Sequence, residues 1–163
     1  NDKKFFNQKA QDLAPQLLGK ILCRKFNEEI IKSKIVEVEA YTGTQDSACH
    51  SSKKKSSRNS VMWEDGGIIY IYLCYGIHYM LNIVCAGKNP EAVLIRGVQD
   101  AIGPGKLTKF YKIDKSLNGE DITISSNVWL EEGEHITNYK SSPRIGIDYA
   151  DPKDRNALLR FYI

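Results

Sequence analysis

Residues 35–41, Ile-Val-Glu-Val-Glu-Ala-Tyr, alternate strictly in side-chain direction once laid out as a strand, and Thr42-Gly43 closes the run. Val36, Val38 and Ala40 then share one face, and Ile35, Glu37, Glu39 and Tyr41 share the other. The first face suits a core. The second offers two carboxylates and a tyrosine, which belong either in solvent or in a pocket. Alone, such a face reads as solvated. A second stretch changes the weighing: Tyr70, Tyr72, Tyr75 and Tyr79 fall within residues 70–82, and His50 lies just after the first strand. The two stretches together point to Glu39 acting on a base held between aromatic rings.

At 163 residues the chain fits one domain, 1–163, large enough for a real core. Hydrophobic content of 42% and charge of 26% are those of a folded globular protein, which argues against disorder. No apolar run approaches a membrane span and the start does not resemble a signal peptide, so a cytoplasmic protein without a membrane partner is expected. Cys23, Cys49, Cys74 and Cys85 are widely spread and read as free thiols of a reducing compartment. His50, His78 and His135 have no ligand spacing, and neither metal nor other cofactor is expected.

Along the chain, residues 5–18 carry a helical spacing of Phe6, Ala10, Leu13, Leu17 and Leu18. Pro15 is expected to break it, starting a short second helix that ends at Gly19. Residues 21–26 and 30–41 read as a hairpin. Asp46 is placed to cap a helical turn through residues 47–50, with 51–59 a loop. Residues 68–74 and 78–85 are strongly β-prone, and Gly76 between them suits a tight turn that leaves Tyr75 near its tip. A strand at 92–97 carries Arg96, and residues 106–113 form an amphipathic helix. Further strands at 122–125, 128–130, 144–147 and 158–163 complete a mainly antiparallel sheet, with polar loops at 138–143 and 148–156. The fold class is mixed α/β of the α+β kind.

The candidate site residues each have a bland alternative. Tyrosines favour strands anyway, and for Tyr70 and Tyr79 simple strand filling suffices. Tyr72 stands apart by association with Glu39 and Tyr41, since flat rings on both sides of a slot are what stacking a nucleobase requires. Tyr75 at a hairpin tip suits a wedge that replaces an extruded base. Asn82 is either a satisfied core amide or a pocket discriminator. Arg96 ends a buried-looking run and wants a carboxylate, with Glu39 the obvious partner and any other acid the alternative. The net charge of +3 is modest, but Lys53, Lys54, Lys55 and Arg58 crowd one polar stretch behind His50, where phosphate contacts would use them. Gly103-Pro104-Gly105-Lys106 lacks the spacing of a nucleotide phosphate loop, yet Lys106 at a helix start suits a nucleic-acid phosphate.

The run Glu37-Val38-Glu39-Ala40-Tyr41, followed by Asp46, Ala48 and His50, resembles the core motif of the alkyladenine (3-methylpurine) DNA glycosylase family. Arg58-Asn59, Met62, Tyr70-Ile71-Tyr72, Tyr75-Gly76, Asn82-Ile83 and Val93-Leu94-Ile95-Arg96 continue the likeness in order. So do Gly103-Pro104, Lys106-Leu107, Val128-Trp129-Leu130, Arg144-Ile145-Gly146 and Leu159-Arg160-Phe161-Tyr162. The resemblance implies a single domain with a curved antiparallel sheet, flanking short helices and a protruding hairpin inserted in the DNA minor groove. It implies a monofunctional hydrolase, without metal or lyase activity, that flips damaged purines from double-stranded DNA and initiates base excision repair. Glu39 would activate water with help from Arg96. Tyr41, His50, Tyr72 and Asn82 would form the base pocket and Tyr75 would intercalate. Lys54, Lys55, Arg58 and Lys106 would meet the backbone. A monomer, nucleoid-associated in a bacterium, is the expected working form. The basic loop departs from the family in using lysines where glycines and arginines are common. From another class, a non-catalytic module that stacks bases on its tyrosines fits the same residues.

Overall fold

Strand β2 runs from Glu29 to Tyr41 and takes three partners, which is how one segment comes to organise the molecule. A computed structural model describes residues 3–52, 55–56, 59–86 and 89–163. Two short helices, α1 (Lys3–Phe6) and α2 (Ala10–Leu17), precede β1 (Ile21–Phe26), which pairs antiparallel with the first half of β2. The hairpin β3 (Ile69–Cys74) and β4 (His78–Cys85) leads to β5 (Glu91–Val98), the short β6 (Ala101–Ile102) and α3 (Pro104–Phe110). Strands β7 (Val128–Glu131) and β8 (Lys140–Ser142), helix α4 (Pro152–Arg155) and β9 (Arg160–Tyr162) finish the chain.

The main path of the sheet is β3-β4-β5-β2-β1-β7, and β9 adds to β2 with β8 outside it. Along its far half, β2 has β5 on one edge; on the other edge β1 gives way to β9, so the sheet curls into a half-barrel. This is the mixed α/β fold with an antiparallel sheet and short helices that the sequence implies. Helices α2 and α3 pack on one face of it, where Leu13, Leu17, Leu107 and Tyr111 share a core with Val38, Ala40, Leu81, Ile83, Val93 and Ile95. Among the described residues no helix is long and apolar enough to cross a membrane.

The details depart from the sequence reading at places with physical causes. The helical break falls at residues 7–9 and Pro15 lies inside α2. The buried Glu91 carboxylate accepts the Ala10 amide at 2.9 Å, which fixes the start of α2, and Pro15 comes late enough to forfeit a single helical bond. On β2, Ile35 rather than Val36 enters the core, because a bulge around Glu37 in the pairing with β5 shifts the phase. Residues 122–125 form turns built on Asp121, which accepts from Thr123, instead of a strand. Residues 144–147 are irregular, with Gly146 at φ 77°, and the strand of that region is β8, inside the stretch expected to be loop. Helix α4 likewise lies within the expected 148–156 loop.

Candidate active site

The bulge at Glu37 resets the phase of β2 toward its C-terminal end. Glu37 and Glu39 then lie on the face away from the core, and Glu39 is nonetheless 0% exposed. A carboxylate removed from water needs donors. Tyr41 Oη donates to Glu39 Oε1 at 2.8 Å, and the Ile145 amide donates to Oε2 at 2.7 Å. That second bond explains why residues 144–147 do not pair as a strand: an amide of the segment is given to the carboxylate. Burial pushes the Glu39 carboxyl above its usual range, although Arg96, the Ile145 amide, Tyr41 and Arg144 all pull the other way. The Tyr41 phenol is driven up by burial and by Glu39, so it stays protonated and donates.

Arg96 meets both of the acids open to it, Glu39 as an ion pair and Glu37 more closely. Its hydrogen-bonded partner is Glu37, Nε to Oε2 at 3.0 Å, while Glu39 Oε2 lies 3.8 Å from the same nitrogen. Arg160 from β9 donates to the same Glu37 oxygen at 2.6 Å. Glu39 is therefore one of two carboxylates held among arginines.

Above Glu39 opens a cleft of about 580 Å³, lined by Tyr41, His50, Tyr72, Tyr75, Arg96, Ile145 and Tyr149 among others. Glu39 does not line it, but Tyr41, Arg96 and Ile145, which all approach its carboxylate, do. The cleft narrows to a slot of about 30 Å³ between Tyr41, His50, Tyr70, Tyr72 and Asn82, room for about one water. His50 and Tyr72 are in ring contact at 4.1 Å between centroids, and His50 Nδ1 is hydrogen-bonded to Tyr70 Oη at 2.9 Å. Tyr70 thus does more than fill a strand. Asn82 is buried and donates its amide to the Tyr70 and Met80 carbonyls, as a satisfied core amide does, and it also lines the slot.

Two participants are not evident from sequence. Arg144 is buried in a two-bond pair with Asp46, at 2.6 and 3.0 Å, and its guanidinium lies 4.9 Å from the Tyr41 ring. Asp46 spends its carboxylate on Arg144 and on the Thr42 and Ala48 amides, more than the helix cap expected of it. Tyr149, 66% exposed, joins the rim of both slot and cleft. The nearest sequence signal is the Arg144-Ile145-Gly146 match, which says nothing of geometry.

Tyr75 stands at the hairpin tip as expected, 87% exposed. Ile77 N donates to Cys74 O across the turn, with φ of 52° at Tyr75 and 69° at Gly76, the two positive values of a type I′ turn. Lys55 is exposed with Nζ 5.8 Å from the Trp63 ring, and Lys106 is exposed in the first turn of α3. Lys54 and Arg58 lie outside the described residues. Among the described residues no group of three His, Cys, Asp or Glu side chains gathers to hold a metal ion.

The methylpurine-DNA glycosylase (MPG) family matches residues 4–163. A protein of Borreliella burgdorferi with the provisional name 3-methyladenine DNA glycosylase is 46% identical, covering 99% of this chain and 95% of its own length. Similarly named proteins of Clostridioides difficile and Natranaerobius thermophilus are 38% and 37% identical, each covering 99% of this chain, and 99% and 94% of their own lengths. The chain belongs to the methylpurine-DNA glycosylase family. Membership makes the chain a DNA-repair hydrolase of N-glycosyl bonds whose substrate is DNA. In this glycosylase chain the tyrosine-lined cleft and the carboxylate beneath it are the features that such a substrate has to meet.

Proposed function

We propose that this glycosylase flips alkylated purines of the 3-methyladenine type out of duplex DNA and hydrolyses their N-glycosidic bond with water activated by Glu39. The observation that carries the reading is a fully buried carboxylate directly under an aromatic cleft, with both oxygens oriented by donors. Each oxygen keeps a second lone pair, so the group can still accept a proton from water. As the sugar–base bond lengthens, positive charge builds on the sugar. Glu39 stabilises that charge and takes the water proton while the water oxygen bonds to the sugar carbon. The electron pair of the broken bond leaves with the base. A 3-alkylated adenine already carries positive charge, so it departs as a neutral molecule without needing an acid.

The same charge favours stacking on the electron-rich faces of Tyr41 and Tyr72, worth roughly 0.5–2 kcal/mol. The outer cleft admits the flipped base, since the slot proper is too narrow for a purine. Asn82, fixed by its two backbone bonds, lines the slot that shares Tyr41, His50 and Tyr72 with this cleft, and there it would oppose the exocyclic amine of a guanine whose edge points into the slot. Tyr75 fills the gap left in the stack, and Arg96 holds water against the carboxylate. Lys55 and Lys106, with Lys54 and Arg58, meet phosphates.

The test is single-turnover release of 3-methyladenine from a duplex. Glu39→Gln should slow it by about 10²–10⁴-fold while lesion binding persists. That result also disposes of a purely base-stacking module. Undiminished release by Glu39→Gln would sink the reading, and a borohydride-trapped covalent adduct would overturn the monofunctional assignment.

A further inference from the structure

On β2 the second carboxylate, Glu37, is as deliberately held as the first. It is 5% exposed, and its Oε2 accepts Nε of Arg96 at 3.0 Å and Nε of Arg160 at 2.6 Å. Arg160 is anchored in turn: Nη1 donates to Ser142 Oγ at 2.9 Å, and the guanidinium lies 4.2 Å from the Tyr162 ring. On the far side Gly97 packs against Glu37. A Cβ there would come within 3.3 Å of Glu37 Cβ and Oε1, so a larger residue at 97 would press on the carboxylate. The outcome is an Arg96–Glu37–Arg160 bridge that leaves Arg96 Nε 3.8 Å from Glu39, beyond a hydrogen bond.

We propose that Glu37 is a positioning residue, holding Arg96 in its bridge to Arg160 so that the guanidinium lies beside Glu39 without closing onto it. Without Glu37, the nearest acceptor for Arg96 is Glu39. A direct arginine–carboxylate pair would engage the lone pairs that water needs and depress proton affinity at the atom that must take a proton. This role rests on the reading of Glu39 as the base. The charged and titratable groups facing Glu39 are Glu37 and Tyr41 on β2, Arg96 on β5, Arg160 opposite it on β9, Tyr72 on β3 and Arg144. Removing the Glu37 charge and drawing Arg96 inward both shift Glu39 in one direction, toward ionising more easily.

The experiment is the pH profile of single-turnover excision. Glu37→Gln is expected to lower the plateau rate by about 10²-fold, the scale of a misplaced catalytic group, and to move the acid limb to lower pH. Paired with Arg96→Gln, it should add no further loss, because no guanidinium remains to close; additive losses would mean a merely structural role and would overturn the proposal. Arg160→Gln decides the matter even if Glu37→Gln fails to fold. Withdrawing that cation leaves the carboxylates less compensated, so the acid limb should move to higher pH, and an unmoved limb counts against the bridge. Glu39→Gln in the same assay separates the layers. If it excises at the wild-type rate, the base assignment and this role fall together. If it is inert while Glu37→Gln matches wild type, the positioning role alone is lost.

Discussion

The two halves of β2 use the same residue types for opposite ends. In the first half Lys32 reaches Glu131 and Lys34 reaches Glu134, at 3.0 and 3.1 Å, with the acids of both pairs well exposed. In the second half Glu37 and Glu39 are sealed among Arg96, Arg160 and Arg144. Contact distances barely differ between the halves; access to water does. Water screens the lysine pairs and supplies alternative partners, so each can be lost cheaply. The arginine cluster has no such alternative, so its carboxylates keep fixed partners in fixed positions. Arginine suits that half because its planar fork can serve two acceptors at once.

The contrast is tested most severely at the Arg144–Asp46 pair, whose side chains are 0% and 2% exposed. Asp46→Ala leaves a buried guanidinium without its carboxylate, and a loss of about 3–5 kcal/mol in urea unfolding is expected. Activity should fall as well, since Arg144 pins the segment that brings the Ile145 amide to Glu39. An unfolding midpoint close to wild type would show that water reaches this pair and that the two halves of β2 differ less than the burial implies.

How much of the molecule is legible in its sequence divides along the same line. Strands β1 and β4 have the bounds that the sequence predicts, because period-2 patterning and turn residues are local signals. Tyr75 at the hairpin tip and Glu39 next to Tyr41 are local inferences too. Arg144-Ile145-Gly146-Ile147 also looks like a strand locally. It is not one because its amide and guanidinium are claimed by Glu39 and Asp46, about 100 residues away in sequence. The partner of Arg96 is illegible for a related reason: Glu37 and Glu39 are equivalent in the pattern, and only the bulge and Arg160 tell them apart. Pro15 shows the converse, a strong local breaker overridden by the buried Glu91 that sets where α2 starts.

A middle-sized effect, opposite in sign, is expected at Glu39. Its carboxyl titrates above the usual range because burial outweighs its donors. The folded state then binds the proton more tightly than the unfolded chain. The stability this gives is fully present below the unfolded value and is lost as pH rises through the folded one. Glu39→Gln should therefore unfold at a higher temperature than wild type at neutral pH, by roughly 2–4 °C for a gain near 1 kcal/mol. The two melts should converge in acid. On the proposed mechanism the same titration would set the acid limb of excision, since a base works only when deprotonated. Glu39→Gln melting below wild type at neutral pH would show that the carboxylate's donors outweigh its burial.

The smallest effect belongs to Lys32. Glu131 is held below its usual range first by the Trp129 indole N–H, at 3.0 Å, and next by Lys32. Its contribution is present above the unfolded carboxylate value and is lost as pH falls through the depressed one, the reverse of Glu39. Lys32→Gln keeps the indole bond and removes only the exposed cation, so its urea midpoint should drop by an amount near the limit of resolution. Any drop should shrink with added salt, because the pair lies in reach of screening ions. Excision should be unchanged, as Lys32 is on the half of β2 remote from the cleft. A salt-insensitive loss as large as that of Asp46→Ala would mean that the first half of β2 is as dry, energetically, as the second.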